Sequence, residues 1–329
     1  MITTVLLVKN GLPYLPDVLD AIFSQDTNSR FEVLAIDSGS TDGSLEVLGR
    51  YPVRVIQISP QEFNHGETRN VAAREADPES KYIVYLSQDA LPADENWLQN
   101  LIQPMEDDPA VAGTFSRHIP RPNASPSLVR MLTTMWQTGG SERLVKQMPS
   151  DQAEYERDKF FYIYFSNTSS ALRSATWEQI PFRRLEFAED ADWADRVLRA
   201  GHRIVYEPSS IVLHSHDYRI IEQFRQNVDH TEAMVRLFDP PALRDRWLLL
   251  KQLRSLPRAV WRDIKFMRRD DFYQGASWWR QMYWAIRSPW WYLASFTGGW
   301  VGARLDRLPG SWRVLFGRQE RLKRGIKDR

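Results

Sequence analysis

The chain of 329 residues contains no cysteine. That excludes disulfides, thiolate metal centres and a cysteine nucleophile, and it suits a reducing compartment. Long apolar runs are missing too. The longest stretch without a charged side chain is 16 residues, 288–303 (SPWWYLASFTGGWVGA), and it holds Pro289 and three glycines. A spanning helix needs about 20 apolar residues, so no transmembrane helix is expected. Only Met1 precedes the first apolar run, ITTVLLV, and neither a basic leader nor a small-residue cleavage site is visible; no secretory signal is expected. There is no evident internal repeat or low-complexity tract.

Net charge is almost absent as well, at +1, but the balance hides a division. From Pro241 onward, 20 Lys and Arg stand against 7 Asp and Glu, a net of +13, whereas residues 1–240 carry 23 against 35, a net of −12. The last 89 residues also hold 9 of the 13 tryptophans. The length allows one large domain or two small ones, and the division predicts two: residues 1–240, and a helical, basic, Trp-rich region over 241–329. In the second, Trp247, Leu250 and Trp261 alternate with Arg254, Arg258 and Arg262. Such amphipathic helices suit the plane of an anionic membrane interface; a helical subdomain packed on the first domain is the alternative. Basic and aromatic residues together also occur in nucleic-acid binding, but no recognised module accompanies them, and nucleic acid is not expected as a partner.

Along the acidic part, short apolar β-rich runs at residues 2–8, 31–36, 53–58, 82–86 and 111–115 read as strands. Between them lie helical patterns: Leu15, Val18, Leu19 and Ile22 after Pro13; Leu45, Val47 and Leu48; residues 66–76; and Trp97, Leu98, Leu101, Ile102 and Met105. Alternation with short connections predicts an α/β fold with a doubly wound, mostly parallel, Rossmann-like sheet. Residues 117–160 are expected to hold a Pro-rich loop, a helix over SLVRMLTTMWQ and a polar segment that is either a lid or a surface excursion. Residues 160–165 read as a further strand, 189–200 as a helix closed by Gly201, and 204–206 and 211–213 as two short strands.

Carboxylates end two of the strands. Asp37 opens the turn DSGSTDG, and Asp89 closes YIVYLSQDALP. In an open α/β sheet such ends converge on the ligand crevice. Asp89 offers the hard oxygen that Mg²⁺ or Mn²⁺ prefers; a turn aspartate ahead of Pro92 is the plain alternative. Arg69 and Asn70, beside His65 and Gly66, lie on a helix whose arginine suits a diphosphate, unless that helix is simply a solvated face. Glu189-Asp190 is a paired carboxylate at a helix start, suited to general-base work or to ordinary dipole compensation. His214 and His216 alternate like strand residues, which predicts rings on opposite faces.

The order VLLVKNGLPYL, IDSGSTDGS, FNHGETRN, YLSQDALP, FAEDADWADRVLRAGHRIVYEP and VLHSHDY resembles the family 2 (GT-A fold) glycosyltransferases over roughly residues 1–235. FNHGETRN with SQDA is most similar to bacterial rhamnosyltransferase-type members. The resemblance implies an inverting transfer from a nucleotide-diphosphate sugar to a glycan or glycolipid hydroxyl, assisted by a divalent cation, Mg²⁺ or Mn²⁺. It implies Asp37 as a base or ribose contact, His65, Arg69, Asn70 and Gln88 on the nucleotide-sugar side, and Asp89 as the last carboxylate of an Asp-x-Asp metal motif. It makes His214 (or His216) a further metal ligand and Asp190 the catalytic base with Glu189 beside it. The first carboxylate of the metal motif is replaced by Ser87 or Gln88. With the basic C-terminal region, these implications place the chain in the cytoplasm, peripherally on the inner face of the membrane. A catalytically impaired nucleotide-sugar-binding module is the other reading.

Overall fold

A computed structural model describes residues 1–122, 124–134, 140–268, 277–309, 311–318 and 321. They form two compact units, Met1–Pro120 with Leu132–His214, and Arg121–Met131 with the chain from Ser215 onward. The first unit is built on β1 (Ile2–Val8), β2 (Phe31–Asp37), β3 (Val53–Gln57), β4 (Tyr82–Ser87), β5 (Leu91–Pro92), β6 (Val111–Ile119), β7 (Leu144–Lys146), β8 (Ser169–Arg173) and β9 (Arg203–Leu213). These nine strands make one sheet in the order β3-β2-β1-β4-β8-β6-β9-β5, with β7 also on β9.

The half β3-β2-β1-β4 is parallel, as the alternation predicts. Beyond it β8 runs antiparallel to both β4 and β6, so the sheet is mixed though mostly parallel. Residues 204–206 and 211–213 belong to one strand, β9, whose pairing with β6 shifts register between them. The aromatic run 160–165 is not a strand: it begins in a helical turn, and the strand follows at Ser169–Arg173. Its small residues carry no apolar alternation because a buried polar cluster fills the space. Trp97 Nε1 donates to Ser169 Oγ at 2.9 Å, which in turn lies 2.6 Å from Ser116 Oγ.

The helices of this unit are α1 (Leu15–Phe23), α2 (Ser44–Leu48), α3 (His65–Arg74), α4 (Trp97–Asp107), α5 (Pro126–Thr134, shared with the second unit), α6 (Gln152–Arg157), α7 (Lys159–Tyr162), α8 (Ser174–Gln179) and α9 (Glu189–Arg199). Leu15, Val18, Leu19 and Ile22 of α1 are all fully buried, each contributing roughly 1.5–3 kcal/mol of transfer free energy. Pro16 sits in the first turn of α1; Pro13 precedes the helix. Met135, Trp136 and Gln137, the end of the expected helix after residue 126, lie outside the described residues, as does Gly139. The polar segment that follows holds β7, where Lys146 is buried among Phe115, Phe161 and Tyr164 and donates to the Tyr164 carbonyl at 2.8 Å.

The second unit contains α10 (Ile220–Phe238), α11 (Pro241–Arg244), α12 (Leu248–Met267), α13 (Trp278–Gly302) and α14 (Ser311–Phe316). α13 packs on α10 through glycines. A Cβ on Gly298 would stand 2.3 Å from the Phe224 carbonyl oxygen, and one on Gly302 2.4 Å from that of Val228. The charge boundary near Pro240 therefore falls inside this unit, between α10 and α11. Asp263 on α12 is fully buried and accepts from Arg130 Nε (2.9 Å), Ser288 Oγ (2.7 Å) and Tyr292 OH (3.0 Å). Asp263→Ala leaves that arginine and those hydroxyls without their acceptor. We expect a loss of about 3–5 kcal/mol, the usual consequence of breaking a buried pair, read as a lower urea midpoint; an unchanged midpoint would contradict this role.

Candidate active site

Strand register places two sequence-predicted carboxylates at one end of the parallel half-sheet. Val8 of β1 faces Asp37 of β2, and Leu7 faces Ser87 of β4, two residues before Asp89. Asp37 is 1% exposed. Its Oδ1 accepts the N–H groups of Gly39 (3.0 Å) and Ser40 (3.1 Å). That turn needs Gly39, whose φ is +87°. Asp37 Oδ2 is buried and accepts no hydrogen bond among the described residues. A buried lone carboxylate oxygen is costly unless a donor reaches it, so this position suits an N–H or O–H of a ligand.

Gln88, expected near the donor, is hydrogen-bonded to the backbone of Lys9. Its Oε1 accepts the Lys9 N–H at 2.8 Å and its Nε2 donates to the Lys9 carbonyl at 3.0 Å, closing the amide on the chain that leaves β1. Asp89 follows, and its Oδ1 lies 3.7 Å from His214 Nε2. β9 ends at Leu213, so His214 and His216 stand in irregular chain and strand alternation does not set their directions. His214 is held by its own N–H on the Ile119 carbonyl (3.0 Å) and by an edge contact with His118 at 5.8 Å. His216 belongs to the second unit, stacked on Tyr218 at 5.3 Å. Asp89 and His214 together offer one carboxylate and one imidazole, a donor set that fits Mn²⁺ well and Mg²⁺ through the carboxylate.

The FNHGETRN stretch forms a frame for α9. Asn64 caps α3, its side chain accepting the Glu67 N–H, and donates to Glu186 Oε1 at 2.9 Å. Gly66 lets the chain before α9 pass: a Cβ there would lie 1.9 Å from the Arg183 carbonyl oxygen. Asn70 donates to the Phe182 carbonyl (2.8 Å) and accepts from the Phe182 N–H (3.1 Å) and Trp177 Nε1 (3.0 Å). Arg69, 7% exposed, turns inward and pairs with Glu189 Oε1 at 2.8 Å. His65 sits at the start of α3, edge-on to Phe63 at 4.9 Å. The structure thus pairs Arg69 with Glu189, while the Asn70 amide holds the chain before α9 at Phe182.

Ala188, in the left-handed region at φ +60°, turns the chain into α9 and sets Glu189 and Asp190 in its first turn. Burial opposes the charge of Glu189, but Arg69, His65 and the Asn167 amide outweigh it and hold its carboxyl below the ordinary range. Asp190 is pushed the other way, up to about 7, by burial and then by the Glu189 charge. Two adjacent carboxylates with opposed shifts divide into an ionised partner and a poised acid–base group. Asn167 is the residue that sequence reasoning missed. Its Nδ2 donates to Glu189 at 3.1 Å, while the next carbonyl, of Thr168, accepts the Ser87 N–H at 2.9 Å. One dipeptide thereby ties the acid pair to the turn that carries Asp89. Nothing in the run SNTSSALR marks it, since Asn in a polar stretch is common.

A parallel half-sheet with acids at its strand ends and a mixed second half is the GT-A glycosyltransferase fold. It is similar to that of the mannosyltransferase PcManGT from Pyrobaculum calidifontis, solved with GDP-Man and Mn²⁺ (17% identity, TM-score 0.57, 93% of this chain and 86% of that one). It is similar also to S. aureus TarS 1-349 with UDP-GlcNAc (15% identity, TM-score 0.51, 90% of each chain). The profile of Glycosyl transferase family 2 matches residues 3–178, and the chain belongs to that family. Among curated relatives, the O-antigen chain rhamnosyltransferase WbaN of Salmonella anatum is 31% identical over 210 residues, 63% of this chain and 64% of that one. RfbN of Salmonella typhimurium, with the same description, is 30% identical over 232 residues, 69% and 70%. The chain thus spans about two thirds of the length of the curated relatives it matches.

Proposed function

We propose that the chain transfers a sugar, with inversion, from a nucleotide-diphosphate donor to a hydroxyl of a lipid-linked or surface polysaccharide. The similarity to O-antigen rhamnosyltransferases favours rhamnose as that sugar. The observation that carries the reading is the Glu189-Asp190 pair, in which Arg69 holds one carboxylate ionised while its neighbour is poised near neutrality. Asp190 takes the proton of the acceptor hydroxyl; that oxygen bonds to the anomeric carbon from the face opposite the diphosphate, which leaves with the electrons of the broken C–O bond. Asp37 Oδ2 accepts from the nucleobase or ribose. His65 flanks the nucleotide, and Arg69 and Asn70 act through the frame they build. A divalent cation, Mg²⁺ or Mn²⁺, held by Asp89 with His214, would neutralise the leaving diphosphate. The acceptor chemistry and the charge division favour a cytoplasmic location, peripheral on the inner face of the membrane, with 241–329 towards the lipid.

One observation supports a second reading, a nucleotide-sugar-binding module without turnover: Ser87 or Gln88 stands where the metal motif has its first carboxylate, and the Gln88 amide is closed on Lys9. A thermal-shift screen of nucleotide-diphosphate sugars, with and without Mn²⁺, tests the shared premise. Stabilisation by at least one donor, greater with the cation, is expected; no response to any donor would overturn both readings. Asp37→Ala should weaken nucleoside-diphosphate binding by roughly 10- to 100-fold in calorimetry, the worth of a hydrogen bond to a charged acceptor. Unchanged affinity would remove Asp37 from the donor site.

A further inference from the structure

Two helices of the second unit carry apolar side chains on faces left exposed among the described residues. On α13, Trp279, Met282, Tyr283, Ile286 and Trp290 recur at helical spacing and are 42–62% exposed. The buried residues of that helix, Trp284, Ser288, Tyr292 and Gly298 among them, lie on the other side. The outer stripe is therefore surplus to packing. α12 packs against α13; from its N-cap Trp247, the exposed positions Leu250, Arg254, Arg258 and Trp261 follow at steps of three or four, with half-buried Lys265 one turn further on. The Lys265 ammonium sits 5.0 Å from the Trp261 ring and the Arg246 guanidinium 5.2 Å from that of Trp247. Arg254, Arg258 and Arg262 form no ion pair among the described residues, and α13 carries no acid. The single acid of α12 is Asp263, fully buried in its own network.

We propose that the outer faces of α12 and α13 dock in the plane of an anionic phospholipid bilayer. Indoles and arginine stems would lie at the headgroup level, with the guanidinium and ammonium groups on lipid phosphates. Charge complementarity selects this occupant. A second copy of the chain would bring the arginines of α12 against those of its twin, whereas an anionic leaflet meets them with opposite charge and accepts the apolar stripe beside them. No described helix is long and apolar enough to cross a membrane, so the contact lies along the surface. The inference specifies the membrane placement proposed above but stands on the second unit alone, so its failure leaves the transfer reaction untouched.

The test is co-sedimentation of the full chain with phosphatidylglycerol–phosphatidylcholine vesicles and with phosphatidylcholine alone, at low and high salt, alongside sedimentation velocity without lipid. The chain should bind the anionic vesicles, less in high salt but not zero, and bind phosphatidylcholine at least about tenfold more weakly. Two variants separate the terms, Arg254→Gln with Arg258→Gln, and Trp279→Ser with Trp290→Ser. These side chains are exposed, so each variant should keep the parent melting temperature. Each should lose about tenfold or more in vesicle partitioning, and only the arginine pair should flatten the salt dependence. Absence of binding to anionic vesicles, binding unaltered in both folded variants, or a lipid-free dimer that the tryptophan variant dissolves while vesicle binding is absent would each overturn the proposal.

Discussion

Asp190→Asn is expected to lower turnover on the order of 10²–10⁴-fold, the usual contribution of a general base, while nucleotide affinity stays within about twofold. The pH profile carries the sharper signature. Burial and the Glu189 charge push the Asp190 carboxyl up to about 7. A base works ionised, so the rate should rise about tenfold per pH unit below that value and level above it. The asparagine variant should lose this limb. Glu189→Gln removes the neighbouring charge, so its limb should move to lower pH, with a smaller loss of rate. Because that substitution also unpairs Arg69, which is buried against Glu189, melting must be followed in parallel. An Asp190→Asn enzyme that keeps the acid limb, or that loses donor affinity as much as rate, would take Asp190 out of the base role.

The second large effect is expected at Asp89. Under the proposed cation site, Asp89 is the one carboxylate of the turn Ser87-Gln88-Asp89-Ala90. Asp89→Asn should abolish the Mn²⁺-dependent part of nucleotide binding. It should also lower turnover on the order of 10³-fold or more, since metal stabilisation of developing charge amounts to several kcal/mol and each 1.36 kcal/mol is a decade. His214→Ala should cost less, because an imidazole supplements a hard-oxygen site rather than defines it. Titration of Mn²⁺ with a nucleoside diphosphate, followed by calorimetry, reads both. Equal cation dependence in Asp89→Asn and the parent chain would contradict the assignment.

Much of this was legible in the chain where a local pattern and its tertiary use coincide. Residues 2–8, 31–36 and 82–86 are apolar throughout or nearly so because they are buried on both faces, and their ends mark Asp37 and Asp89 without knowledge of partners. The start of α9 is legible from its acids and its end from Gly201. The failures have a common cause. Ser169–Arg173 is an inner strand whose small residues make room for Trp97 and Ser116, so the apolar signal belongs to its neighbours. The run 160–165 is aromatic because it encloses Lys146, not because it is pleated. The FNHGETRN stretch shows its residues but not the chain that passes over them. The Gly66 approach to the Arg183 carbonyl and the Asn70 clamp on Phe182 join segments more than a hundred residues apart. Sequence places Arg69 and Asn70 beside the nucleotide; it does not show that Arg69 pairs with Glu189 or that Asn70 clamps Phe182.

The most direct measurement is release of nucleoside diphosphate from nucleotide-diphosphate-rhamnose by the full chain, with Mn²⁺, with and without a lipid-linked oligosaccharide acceptor. Release that requires both acceptor and cation, and that collapses in Asp190→Asn, is the expected result. Tight, cation-dependent donor binding with no release over any acceptor tested would contradict the transferase reading and leave a nucleotide-sugar-binding module in its place.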